Sequence, residues 1–169
     1  MKELVIYTDG SSLGNPGPGG WGAVLIGNKQ VVELGEKHGT VTNNQMELLS
    51  LYKSFEYLIE QGIRDYIITV HSDSTYVVNG LNEWIHGWKA KNWITAAKKP
   101  VLNKDLWQDL DRVREFVETD NTLFIKHIKA HAGHEHNERA DDIARGLAEG
   151  EPLELYNGPL SEYKKEVNE

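Results

Sequence analysis

Between Gly10 and Gly22 the chain carries six glycines and two prolines in thirteen residues. No other stretch limits the fold as much. A short apolar run precedes it and reads as a buried strand over Leu4–Thr8, which delivers one carboxylate, Asp9, to its end. The Gly/Pro content from Gly10 to Gly20 predicts a loop, neither helix nor interior strand. A carboxylate at a strand end, followed by glycines that let another backbone come close, suits a functional site. A plain turn with a surface aspartate is the ordinary alternative.

The segments that follow supply more ends of this kind. Trp21–Ile26 and Gln30–Gly39 read as strands joined by a hairpin at Gly27-Asn28-Lys29, giving an antiparallel meander with the first strand. Thr42 with Gln45 forms a capping box that opens a helix, and Leu48, Tyr52, Phe55 and Ile59 mark its buried face. Glu47 lies near the start of that helix. Tyr66–His71 is a second β-branched run, read as a parallel strand after a crossover, and it ends in Ser72-Asp73-Ser74. Asp73 is thus either a second site carboxylate or the cap of the next helix. A helix striped by Leu106, Leu110, Val113 and Val117 leads to a last strand at Thr122–Ile128. After a loop holding His131 and His134, Asn137–Ala144 starts the last core helix and carries Asp141. The order predicts a mixed five-stranded sheet, three antiparallel strands then two parallel, flanked by helices.

Charge is unevenly distributed. The net charge is −8, which by itself argues against a nucleic-acid partner. Yet Trp84–Lys104 holds five lysines and no acid, with Trp84, Trp88 and Trp93 among them, the pattern of an exposed surface for stacking and phosphate contact. A core helix beside a solvated loop is the bland alternative. From Glu149 to Glu169 six glutamates face two lysines, a net of −4. This acidic tail is set apart from a domain at 1–148. It either repels phosphates as a brake on binding or docks through Leu153, Leu155, Tyr156 and Leu160 as a strap. The chain has no Cys, which excludes disulfides, thiolate metal sites and a Cys nucleophile. No signal peptide or membrane span is visible, so a cytoplasmic protein with no membrane partner is expected.

If Asp9, Glu47, Asp73 and Asp141 converge, four acids without a counter-charge cannot all ionise cheaply. A hard dication resolves this, since Mg²⁺ takes carboxylate oxygens and keeps waters for phosphate oxygens. Two such ions about 3.5–4 Å apart serve phosphodiester hydrolysis.

Six motifs stand in one order: Asp9-Gly10-Ser11 with Gly14-Asn15-Pro16-Gly17, Thr42-Asn43-Asn44-Gln45-Met46-Glu47, Ser72-Asp73-Ser74, Trp84-Ile85-His86-Gly87-Trp88, His131-Ala132-Gly133-His134 and Asn137-Glu138-Arg139-Ala140-Asp141. Over residues 3–148 the chain resembles bacterial type 1 ribonuclease H. The resemblance implies the ribonuclease H-like fold and endonucleolytic cleavage of the RNA strand of RNA–DNA hybrids, leaving 5′-phosphate and 3′-hydroxyl ends. It implies two Mg²⁺ ions, with Mn²⁺ as substitute, held by Asp9, Glu47, Asp73 and Asp141, and a mobile His131 that assists proton movement or product departure. Ser12, Asn15, Asn43 and Asn44 would line the minor groove, where RNA presents 2′-hydroxyls. Thr42 would take a DNA-strand phosphate. Trp84, Trp88, Lys89 and Lys91 would form a basic protrusion against the DNA strand. The expected form is a monomer with no separate hybrid-binding domain before Met1. Gly87 stands where many relatives carry Asn, and Ser12 where close ones often carry Cys. A binding module of the same fold that does not cut would be expected to lack one of the four acids, and all four are present.

Overall fold

The structure, a computed structural model, describes residues 2–167. The first three strands, β1 (Lys2–Ser12), β2 (Gly17–Gly27) and β3 (Gln30–Val41), form the expected meander, with Asn28 and Lys29 at positive φ in the tight turn. Helix α1 (Asn43–Glu60) follows, capped at Thr42 by the full reciprocal box with Gln45. Strand β4 (Tyr66–Ser72) lies parallel beside β1, and β5 (Thr122–His127) parallel beside β4. Between them run α2 (Thr75–Asn79), a wider turn at Gly80–Trp84, α3 (Ile85–Ala90) and α4 (Lys104–Asp120). Helix α5 (Glu135–Ala148) comes next, then β6 (Asn157–Pro159) and α6 (Leu160–Val167).

Two expectations need correction. The sheet has six strands, in the order β5-β4-β1-β2-β3-β6, because Asn157–Pro159 pairs antiparallel with Gln30–Val32 at the β3 edge. Part of the tail thus docks on the sheet, through β6, Tyr156 and Tyr163, while Leu155 and Leu160 of the expected strap stay exposed. The Gly/Pro stretch is also not one long loop. Residues 17–22 lie inside β2, an interior strand, and only 13–16 turn the chain. Pro18 is accommodated at an irregularity in the β2–β3 register. The glycines are there for α5: a Cβ on Gly20 would lie 2.6 Å from the Ala144 carbonyl oxygen, and one on Gly22 would lie 2.6 Å from that of Ala140. Tertiary packing overrides the weak strand propensity of these residues.

The alternation along β2 divides the core. Trp21, Ala23 and Leu25 pack with Leu48, Leu51 and Phe55 of α1 and with Trp107 and Leu110 of α4 on one face. Val24 and Val31 pack with Ala140 and Ile143 of α5 and with Tyr163 on the other. Trp93 is buried among the first group and Trp88 packs against it, whereas Trp84 is 40% exposed. The three tryptophans therefore do not form one exposed stacking surface. The side of α3 that carries Trp88 anchors the basic segment to the core, and Trp84 faces solvent.

Candidate active site

Parallel pairing of β1 with β4 aligns Thr8 with Ser72, so Asp9 and Asp73 lie side by side at the same level. Asp73 follows the end of β4, but β1 runs past the expected end at Thr8 to Ser12, and Asp9 lies inside it opposite Gly22 of β2. Asp73 is not spent on capping: Ser74 is the N-cap of α2, its side chain accepting from Val77 N–H at 3.2 Å. Glu47 arrives from above. Gly10 makes this possible, because any Cβ there would collide with the backbone of Met46 and Glu47. Carboxylate oxygens of Asp9, Glu47 and Asp73 all lie within 4.8 Å of one another. Asp9 and Glu47 are buried and Asp73 is half-buried.

Among the described residues no cation enters this group. Burial pushes the Asp9 carboxyl up to about 7; the Glu47 hydrogen bond opposes the rise, and the charges of Asp73 and Asp141 add to it. Burial also pushes Glu47 well above the usual carboxylate range, with the charge and hydrogen bond of Asp9 adding and the Gly10 N–H opposing. Without metal, Glu47 is thus the acid that donates to Asp9. Its Oε2 is buried and has no hydrogen-bond partner among the described residues. An orphaned, buried oxygen within a set of crowded carboxylates fits a hard divalent cation.

Asp141 stands to one side. It projects from α5 close enough for both its charge and a side-chain hydrogen bond to act on Asp9, yet it is outside the tight group, partly exposed and paired with Arg145 at 3.4 Å. His131 is exposed on the loop between β5 and α5, with a positive φ of 55°. Asn137, buried at the start of α5, donates to Asp73 at 3.5 Å and ties that helix to the carboxylates.

A model of the RNase H family matches residues 1–149. The chain belongs to the ribonuclease H family. It is 50% identical over 150 residues to the ribonuclease H of Phenylobacterium zucineum, covering 87% of this chain and 92% of that one. It is 48% identical over 158 residues to the ribonuclease H of Shewanella amazonensis, covering 94% and 96%. Among solved structures, LC9-RNase H1, described as a type 1 RNase H with the type 2 active-site motif, matches with a TM-score of 0.82 at 25% identity, over 99% of this chain and 83% of that one. LC11-RNase H1, solved in complex with an RNA/DNA hybrid, matches with a TM-score of 0.66 at 25% identity, over 87% and 97%.

Other residues singled out in the ribonuclease H motifs form two groups. Ser12, Asn15 and Asn43 converge at the edge of the acid cluster: Asn43 Oδ1 accepts from the Ser12 N–H at 2.7 Å and the Ser12 hydroxyl at 2.9 Å, and Asn15 Oδ1 accepts from the Asn43 N–H at 3.0 Å. Asn44 is exposed beside them, and the Thr42 hydroxyl caps α1. The protrusion is less open than its lysine count suggests. Lys89 is held between Asp111 at 2.9 Å and Glu115 at 2.6 Å on α4, while Lys91 is exposed and has no ion-pair partner among the described residues.

The sequence reading assigned no role to Glu33. Its side chain is fully buried on the α5 face of β3, where Arg139, Tyr163 and Tyr156 satisfy it. A signal was available. In the period-two alternation of β3, Glu33 shares the inward face with Val31, and an inward charge needs a partner. Among the described residues no helix is long and apolar enough to cross a membrane.

Proposed function

We propose that the Asp9–Glu47–Asp73 group, completed by Asp141, binds two Mg²⁺ ions and hydrolyses phosphodiesters. The observation that carries this is three carboxylates within 4.8 Å of one another with no cation of the described residues among them. The enzyme is an endoribonuclease that hydrolyses the RNA strand of RNA–DNA hybrids. Water attacks phosphorus, the P–O3′ bond breaks, and the products end in 5′-phosphate and 3′-hydroxyl. When bound, the metal ions, with Mn²⁺ as a substitute, supply an activated water and charge stabilisation for the leaving oxygen.

The chain's own residues do the rest. Burial of Asp9 and Glu47 keeps the carboxylates dry and pointed at one place. His131, on its exposed loop, takes the proton or helps product leave. Ser12, Asn15, Asn43 and Asn44 present amide and hydroxyl groups to the 2′-hydroxyls of the RNA strand. Thr42 meets a phosphate of the DNA strand. Trp84 offers an exposed ring, Trp88 braces it, and Lys91 meets phosphate directly. Lys89 does so only by leaving Asp111 and Glu115. The working form is a cytoplasmic monomer.

The test is cleavage of a labelled RNA–DNA hybrid in a metal titration, with duplex DNA and duplex RNA as controls. Metal-dependent cutting of the hybrid's RNA strand alone is the expected result. Binding without cutting at any metal concentration, or comparable turnover of duplex DNA, would contradict it. His131→Ala should lose activity on the order of the 10²–10⁴ that a proton-transfer group contributes. An unchanged kcat at saturating hybrid would remove His131 from the mechanism.

A further inference from the structure

We propose that the C-terminal segment is a positioning element for Asp141, acting through Tyr163, Glu33 and Arg139; this rests on the reading of Asp141 as a metal ligand.

Three elements meet at one buried carboxylate. Glu33 on β3 accepts a bidentate pair from Arg139 on α5, at 2.7 and 3.0 Å. It also accepts from the Tyr163 hydroxyl at 2.6 Å and from the Tyr156 N–H at 2.9 Å. The side chain of Glu33 is 0% exposed, so all four donors reach it in a dry environment. The backbone repeats the link. Glu33 N–H donates to the Tyr156 carbonyl at 2.8 Å, Leu160 N–H donates to the Lys29 carbonyl at 2.8 Å, and β6 pairs with Gln30–Val32.

The other end of this network is the acid cluster. Arg139 precedes Asp141 by two residues on the same helix. Asp9 and Asp73 are held by the pairing of β1 with β2 and β4, and Glu47 by the seat of α1 on Gly10. Asp141 comes instead from α5, where it pairs with Arg145 of its own helix and reaches the Asp9 carboxyl, so its place depends on how α5 sits on the sheet. That seat is made by the close approach to Gly20 and Gly22 and by Glu33 gripping Arg139, with Tyr163 buried in the same cluster as Ala140 and Ile143. A line of rings adds a second path. Tyr163 stacks on His136 of α5 with centroids 5.9 Å apart, and His136 meets Tyr7 of β1 at 5.5 Å, two residues before Asp9. The strap thus touches the helix that carries the fourth acid, and that helix's His136 in turn meets the strand that carries the first.

The location argues against a direct contact with substrate. Strand β6 is three strands from β1, roughly 14 Å at about 4.8 Å per strand. The tail acts through α5 or not at all.

Tyr163→Phe removes one hydroxyl and keeps the ring, and Glu33→Gln keeps the shape and removes the charge. Each is compared with wild type below its melting temperature in three readouts: kcat and KM on the hybrid, Mn²⁺ affinity by calorimetry without hybrid, and hydrogen exchange of the α5 amides. The expected result is a kcat lower by about tenfold, inside the hundredfold that a misplacement of about an ångström costs. KM for the hybrid should stay within about twofold, since the binding residues lie elsewhere. Mn²⁺ affinity should fall, and α5 amides should exchange faster while β1 and β4 amides do not. Unchanged kcat and Mn²⁺ affinity, with exchange faster everywhere in proportion to a lower melting temperature, would overturn the proposal and leave a purely stabilising strap. If Glu33→Gln does not fold, Tyr163→Phe decides alone. Asp141→Asn separates the two readings. Full activity there would overturn Asp141 as a ligand. Lost activity there, with Tyr163→Phe behaving as wild type, would overturn the positioning role only.

Discussion

Two buried carboxylate sites face each other across this fold, and they are solved in opposite ways. At the β3 edge, burial alone would raise the Glu33 carboxyl, but the Arg139 guanidinium, the Tyr163 hydroxyl and the Tyr156 N–H outweigh it and hold it below the usual range. Where β1 passes the end of β4 and the start of α1, burial and mutual repulsion dominate, and Asp9 and Glu47 are held above that range. The first site has its counter-charge within the chain. The second lacks one, and Glu47 keeps an oxygen with no hydrogen-bond partner. A carboxylate that the fold satisfies serves stability; a group that the fold leaves in conflict is kept for a ligand.

Matched substitutions break the comparison most sharply. Asp9→Asn should abolish cleavage while the protein stays folded, and Glu33→Gln should stay detectably active while losing stability, about 3–5 kcal/mol for a broken buried pair. Activity assays and urea unfolding on the same two preparations check this. A stable Glu33→Gln protein, or an active Asp9→Asn one, would erase the distinction.

The pH dependence should also differ in sign. Asp9 sits near 7 in the folded chain, as against about 3.9 for an unfolded aspartate. The folded state therefore binds the extra proton, and metal-free stability falls as pH rises across that interval, with the full penalty above it. Glu33 is lowered, so its contribution is complete above the unfolded value of about 4.3 and is lost as pH falls through the folded value. Urea unfolding in chelator across pH 3–8 (about the range in which carboxylates titrate here) should show both limbs in wild type. Asp9→Asn should flatten the upper limb and Glu33→Gln the lower one. The same pH profile in all three proteins would contradict the assignment.

A smaller effect extends the contrast to cations. Lys91 is open and Lys89 is paired to Asp111 and Glu115. Lys91→Ala should reduce the salt dependence of hybrid binding by about one unit of slope. Lys89→Ala should reduce it less, and stability should change by no more than about 1 kcal/mol, because Lys89 itself is 40% exposed and the buried Asp111 keeps Arg114 as its partner. Equal slopes for the two variants would mean that the pairing does not hold Lys89 back.

Much of this was legible in the residues. The capping box at Thr42, the hairpin at Asn28-Lys29 and the carboxylate Asp73 at the end of β4 are local signals, and the structure has all three. The misreadings came from distant packing. The first strand does not end at Thr8 but carries Asp9 within it to Ser12, paired with β2, and Gly17–Gly20 looks like loop because nothing nearby says that α5 will press against the sheet there. The tail strand is three residues long, too short for periodicity to mark, and the partner it needs lies 129 residues earlier, at Gln30 opposite Pro159. Trp93 could not be told from a stacking tryptophan because core and surface tryptophans share one composition. Asp141 stands out by its motif, whereas Glu33, to which we assign its positioning, lies in no motif.

The central claim, that the acid cluster is left in conflict for a metal to resolve, is tested by melting wild type and Asp9→Asn at pH 7 (about the titration point of Asp9), first in chelator and then with increasing Mg²⁺. Metal-free Asp9→Asn should melt above metal-free wild type, because one of the crowding charges is gone. Mg²⁺ should raise the wild-type melting temperature and raise that of the variant less. Identical metal-free melting temperatures, or an equal rise with Mg²⁺ in both proteins, would contradict it.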